Sequence, residues 1–182
     1  QWWLLLLIPV IIILSVVFGV VVISWLVIRT VRPKAAVLKA LACNTAEDLG
    51  NAGPDYTFGF GMLNVRRAVE AIDSSRYFID SIANGENHLH TIVLPQAAQQ
   101  IKILLYWPDR EAPLNALNAL VNDLDLTVTD ASSVLHHPLI LDPSPVNVNA
   151  VAVEGIDHLN NIEQIVIDNP AAGNYSININ GF

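Results

Sequence analysis

The chain of 182 residues has a single cysteine, Cys43, so no disulfide can form within it. Cys43 lies in an apolar helical pattern and reads as a buried, inert thiol. Positive charge is also scarce, and it stops early. No Lys or Arg follows Arg110, whereas residues 111–182 carry nine Asp and Glu, and the net charge is −8. A chain so poor in cations cannot neutralise phosphates, which excludes nucleic acid as the partner. The acidic balance suits an exported or a cation-binding protein, although solubility alone also accounts for it. Charge of either sign is missing from residues 1–28, and Arg29 is the first charged residue.

Residues 1–28 run as a near-continuous apolar block with Trp2 and Trp3 near one end and Trp25 near the other. A helix of that length spans about 40 Å, and a bilayer core needs only ~30 Å. The two Trp positions fit an aromatic belt, and Pro9 and Gly19 are tolerable in a membrane helix. The first reading is therefore a long hydrophobic, transmembrane-like helix, with membrane contact through residues 2–28. A buried core helix and a sequence artefact at the abrupt change of composition near Arg29 remain alternatives. Arg29, Arg32, Lys34 and Lys39 follow the block, but the upstream flank needed to read orientation from charge is missing.

The pattern over 33–44 predicts a helix with Pro33 in its first turn and Val37, Leu38, Leu41 and Ala42 on one apolar stripe. A loop rich in Gly, Pro, Asn and Asp follows over 45–55. A second helix is expected to end near Ile72, burying Val65, Ala68, Val69 and Ile72 and showing Arg66, Arg67 and Glu70 to water. The run Leu38-Lys39-Ala40-Leu41-Ala42-Cys43-Asn44-Thr45-Ala46-Glu47-Asp48-Leu49-Gly50 and the later Gly53-Pro54-Asp55-Tyr56-Thr57-Phe58-Gly59-Phe60-Gly61-Met62-Leu63-Asn64 resemble the C-terminal end of a subtilisin-like (subtilase) serine protease domain. The resemblance covers roughly residues 33–72 and rests on two spaced motifs. It implies an α/β parent domain that hydrolyses peptide bonds with an activated serine. The family's Gly-Thr-Ser nucleophile motif does not occur in residues 1–32, and its catalytic Asp and His lie further upstream. No catalytic residue carries over to this chain.

From Ser81 onward the pattern changes to strands. Candidates are 88–94, 101–107, 121–129, 136–142, 151–154, 163–168 and 175–180, at roughly ten-residue spacing. In 121–129, Leu124, Leu126 and Val128 alternate with Asp123, Asp125 and Thr127, so one face is apolar and the other carries two carboxylates. Seven or so short strands of this kind argue for a β-sandwich. Val121-Asn122-Asp123-Leu124-Asp125-Leu126 and the later run from Asp157 through Ile177 resemble the jelly-roll domain that follows the catalytic domain in some secreted bacterial subtilases.

The expected architecture is mainly β. A C-terminal jelly-roll-like β-sandwich over 81–182 follows a C-terminal remnant of a subtilisin-like peptidase domain over 33–80, represented by two short helices. A hydrophobic segment over 1–32 precedes both. The resemblance implies the non-catalytic C-terminal portion of a secreted or surface serine endopeptidase, inactive alone. Its partners would be the parent's upstream catalytic domain and, through that domain, protein or peptide substrate. A membrane-anchored, non-catalytic β-sandwich binding module is the alternative from another class.

Asn122, Asp123 and Asp125 lie on one expected strand, and Asn160, Asn161 and Glu163 stand at the start of another. Hard oxygen donors of these types suit calcium, which takes roughly 6–8 of them. The competing reading is that Asp and Asn pin turns through side-chain hydrogen bonds. His88 and His90 share a strand face, but no zinc-ligand motif spans them, so they read as exposed strand histidines. A triad written from Ser132, His136 and Asp142 has no nucleophile elbow to support it.

Overall fold

The computed structural model describes residues 34–182, and the helix expected over 1–28 lies outside the described residues. No helix among the described residues is long and apolar enough to cross a membrane. Residues Ala35–Phe182 form one compact unit. It is mainly β, with antiparallel sheets and two short helices, α1 (Ala35–Asn44) and α2 (Val65–Asp73).

The strands are β1 (Asn87–Leu94), β2 (Gln100–Tyr106), β3 (Leu124–Thr129), β4 (Leu135–His136), β5 (Leu139–Ile140), β6 (Val153–Glu154), β7 (Ile162–Asp168) and β8 (Gly173–Gly181). A four-stranded sheet has the order β1-β8-β3-β4, while β2 pairs with β7 and β5 with β6. The stretch expected as one strand over 136–142 is divided between β4 and β5, at His137-Pro138. Proline has no N–H to continue a ladder, which is the physical reason for the break. The strand expected from residue 121 begins only at Leu124, because Asp109 accepts the backbone N–H groups of Val121 (2.7 Å) and Asn122 (3.0 Å).

Period-two alternation fills the interior. Leu126, Val128, Tyr175 and Ile177 from the four-stranded sheet meet Ile165 and Ile167 of β7 in one core. Ile92, Leu94, Ile101, Ile103, Leu105 and Ile179 pack around them. Burying a Val, Leu or Ile side chain contributes roughly 1.5–3 kcal/mol, so this core carries most of the gross stabilisation. The Tyr175 hydroxyl donates to the Ala171 carbonyl (2.7 Å), which satisfies its polar end and closes the turn before β8.

Helix α1 lies on the other face of the β2–β7 sheet, and α2 packs against α1. The Gln164 amide donates to Asn44 Oδ1 (3.1 Å), the Asn44 amide donates to the Lys102 carbonyl (3.1 Å), and the Lys39 ammonium sits 4.4 Å from the Tyr106 ring centre. Asn64 caps α2 by accepting from Arg67 N–H (3.0 Å) and also donates to Glu47 (2.8 Å). Gly61 has φ +101°, and a Cβ there would strike the Glu47 carbonyl, which accounts for the glycine in that motif.

The helical stripes differ from expectation. Val37 and Leu41 of α1 and Ala71 of α2 are buried together, with Ala68, Ile72 and Tyr77 against them. Leu38 is 51% exposed, Val65 63% and Val69 48%. The two helices meet through Val37, Leu41, Ala68, Ala71 and Ile72, and the remainder of each apolar face stays open. Cys43 is half-buried, not buried, and burial pushes its thiol pKa up.

Candidate metal centre

The carboxylates of Asp123 and Asp125 stand on the same side of the β3 segment, as the alternation requires. The structure brings His158 to both. Its Nδ1 lies 2.7 Å from Asp123 Oδ2 and 3.8 Å from Asp125 Oδ1. His158 is presented by a turn that Asp157 organises. Asp157 Oδ1 accepts from Leu159 N–H (2.8 Å) and Asn160 N–H (3.1 Å), and its Oδ2 accepts from the Asn160 amide (2.8 Å). The chain end closes over the group: Phe182 N–H donates to the Asp123 carbonyl (3.0 Å), and the Phe182 ring meets His158 edge-on at 6.1 Å.

Glu163 approaches from β7. Its side chain shares the inward face with Ile165 and Ile167, and the residue is 1% exposed. β3 pairs with β8 along one edge, but on its other edge β4 pairs only with Val128 and Thr129, which leaves that edge open further back. Glu163 Oε2 occupies that gap and accepts the Leu126 N–H (2.7 Å). Glu163 Oε1 is buried and finds no partner among the described residues; the same holds for Asp123 Oδ1 and Asp125 Oδ1. Asp125, Asp157 and Glu163 line a cavity of about 60 Å³ together with His137. A water needs about 10–15 Å³ by this measure, so the space has room for several waters.

The electrostatics follow from burial without cationic side chains. Burial pushes the Glu163 carboxyl up to about 8, opposed by the Leu126 N–H and reinforced by Asp125, Asp157 and Asp123. Asp125 is raised as well, first by burial, with His158 acting against the shift and Asp123 adding to it. Several carboxylates at one place repel unless positive charge lies among them. Chemically, the arrangement can hold protons, or it can hold one divalent cation on oxygen donors with an imidazole at the rim.

The other expected ligands are placed differently. The Asn161 amide donates to the Trp107 carbonyl (2.8 Å). The Asn122 amide donates to Asp109 (2.7 Å), and its carbonyl accepts the Trp107 indole N–H (2.9 Å). These two asparagines tie the strand ends to Trp107. His158 and Asp157 were not among the sequence-level candidates. A turn dipeptide gives no sign of facing a strand more than thirty residues earlier, and only the acidic surplus after Arg110 hinted that an imidazole would be drawn in.

A second group, Asp80, His88 and His90, also brings potential ligand atoms within 4.8 Å of one another. The residues of the written triad lie apart in role. His136 Nδ1 is 3.3 Å from Glu154, and Asp142 accepts from Ser144 N–H (2.9 Å) and the Asn147 amide (2.8 Å).

No protein-family model matches the chain, and no curated protein matches it at a significant level.

Proposed function

We propose that the chain is the C-terminal, non-catalytic portion of a secreted or cell-surface subtilisin-like serine endopeptidase. On this reading α1 and α2 are the last helices of its peptidase domain, and the strands form a jelly-roll-like sandwich that stabilises that domain or contacts substrate or surface. The observation that carries the reading is the two-sided character of the helical layer. One side is tied to the β2–β7 sheet through Asn44, Gln164 and Lys102. The apolar residues Leu38, Leu63, Val65 and Val69 remain exposed. Large apolar side chains left exposed on one helical layer favour an interface there, and the parent's catalytic domain is the occupant that the motifs in 38–64 suggest. The test is the coding sequence upstream of Gln1. Segments carrying the catalytic Asp, His and Gly-Thr-Ser motifs support the reading, and an unrelated upstream frame overturns it. The chain alone is expected to cleave no casein, and turnover abolished by a serine-directed inhibitor would contradict this.

A stabilising calcium ion at Asp123, Asp125 and Glu163 belongs to the same reading. It is favoured by the buried carboxylate oxygens that lack partners among the described residues. Calcium accepts many oxygen ligands in flexible geometry, and water in the cavity would complete the set. Calcium titration of the full chain tests it: a melting temperature that does not move at millimolar calcium removes the ion from the proposal and leaves the protease reading standing.

A further inference from the structure

We infer that Asp80, His88 and His90 form a three-ligand site for a divalent transition metal of the zinc type. The inference is independent of the protease reading and of the calcium centre.

It begins with the face on which the histidines lie. Side chains alternate along β1, and Ile92 and Leu94 pack against the core. His88 and His90 therefore point inward too, at the end of the strand where the core has run out. Both are half-buried there, and the expectation of exposed strand histidines does not hold. Their neighbours on β8 in the ladder, Ile179 and Ile177, give that side of the group an apolar floor. The third ligand is supplied by the segment before β1, which brings Asp80 to this end. Asp80 Oδ2 lies 2.9 Å from His88 Nδ1 and 4.0 Å from His90 Nε2.

Those separations fit the chemistry. Ligand atoms about 2.0–2.1 Å from a tetrahedral zinc ion stand roughly 3.3–3.4 Å apart, and the two observed distances bracket that value. Small rotations of Asp80 and His90 would equalise them around an ion. Two imidazoles with one carboxylate favour zinc and its transition-metal neighbours over calcium, which prefers oxygen alone. Three protein ligands leave a fourth position for water.

The supporting residues are arranged as a metal site requires. Glu86 Oε2 lies 3.7 Å from His88 Nε2, on the side of the ring away from Asp80, and it is itself fixed by accepting Ala83 N–H (2.9 Å). At that distance Glu86 makes no direct hydrogen bond to the ring, but its negative charge behind a ligating imidazole strengthens it as a donor. Phe78 stacks on the His90 ring at 4.8 Å and limits its rotation. Ser81 N–H donates to Asp80 Oδ1 (2.8 Å), leaving Oδ2 for the metal.

The test is titration of the full chain with Zn²⁺ by calorimetry, and with Co²⁺ by visible absorption. Binding of one equivalent, with the intense d–d bands of four-coordinate Co²⁺, is expected. His88→Gln and His90→Gln should each abolish the bands, whereas Glu86→Gln should weaken binding without abolishing them. Asp123→Asn combined with His158→Gln should leave the bands unchanged, and millimolar Ca²⁺ should not displace Co²⁺. Circular dichroism of each variant without metal verifies folding. Absence of binding by the folded wild-type chain overturns the inference. So does a Zn²⁺ response that survives in folded His88→Gln and His90→Gln chains.

Discussion

The two Asp–His groups make an instructive pair. Each pairs imidazole with carboxylate at one end of the four-stranded sheet's strands, yet their surroundings give them opposite character. Around Asp123 and Asp125 the additional donors are carboxylates, and Glu163 carries the group into the core, where it also completes the hydrogen bonding of β3. Around Asp80 the additional donors are two ring nitrogens, and the group sits past the rim of the core. Donor type selects the cation, oxygen for calcium and nitrogen for zinc. Burial decides how strongly charge at the site is coupled to folding. The first group should therefore govern stability, and the second should govern only metal binding.

The largest effect that would break this contrast is the pH dependence of stability. The folded Glu163 carboxyl keeps its proton up to about 8, while the group's ordinary value is 4.5. Between those values the folded state holds the extra proton, so stability contributed by this group is complete below about 4.5 and is lost as pH rises towards 8. The slope reaches at most about 1.4 kcal/mol per pH unit. Denaturant melts without calcium should show the decline, and Glu163→Gln should flatten it while keeping an acceptor for Leu126 N–H. A profile that Glu163→Gln leaves unchanged would place the titration elsewhere.

Calcium comes next in size. An ion among these carboxylates favours their ionised form, so it should cancel the high-pH loss. At a concentration one hundred times its Kd it should add about 2.7 kcal/mol. Thermal melts with calcium and with a chelator measure this, and Asp123→Asn with Asp125→Asn should erase the difference. If the double variant responds as the wild type does, the ion binds somewhere else.

Smaller effects sharpen the comparison. His158 is half-exposed beside Asp123, and exposed ion pairs contribute about 0–1 kcal/mol, so His158→Gln should cost no more than that without metal. Equilibrium unfolding by urea gives the value, and a loss of several kcal/mol would mean that His158 holds the 157–160 turn itself. His88→Gln and His90→Gln should change metal-free stability least, by about 0.5 kcal/mol or less. A larger loss in the same assay would show that these rings are part of the core and would erase the distinction between the two groups.

Much of the strand layout was legible because alternation is a local signal. Tyr175, Ile177 and Ile179 against Ser176, Asn178 and Asn180 announce β8 without outside help. Boundaries were harder wherever a distant side chain intervened, as Asp109 does at Val121 and Asn122. The helical stripes were overread: Val65 and Val69 have the right spacing for burial, but spacing cannot say whether a partner is there to bury them. At the candidate centre, Asp123, Asp125 and Glu163 were identifiable by donor type. Asn122 and Asn161 have the same donor type, and their side chains serve Trp107 and Asp109. His88 and His90 lie on a strand with apolar residues on both faces, so the inward face could not be chosen from sequence.

The sequence by itself determined the mainly β character of the described unit, the acidic surplus with no cation after Arg110, and the pair of carboxylates on one side of the chain at the start of β3. These depend on residue type and on a period of two, both of which are local. The tertiary structure decided which charges meet. His158 reaches Asp123 and Asp125, Glu163 becomes a buried acid, and Asp80 completes the set with His88 and His90 only after β7, the 155–161 loop and the segment before β1 have packed. Encounters between residues far apart in the chain are fixed by packing of the core, and no local pattern encodes them.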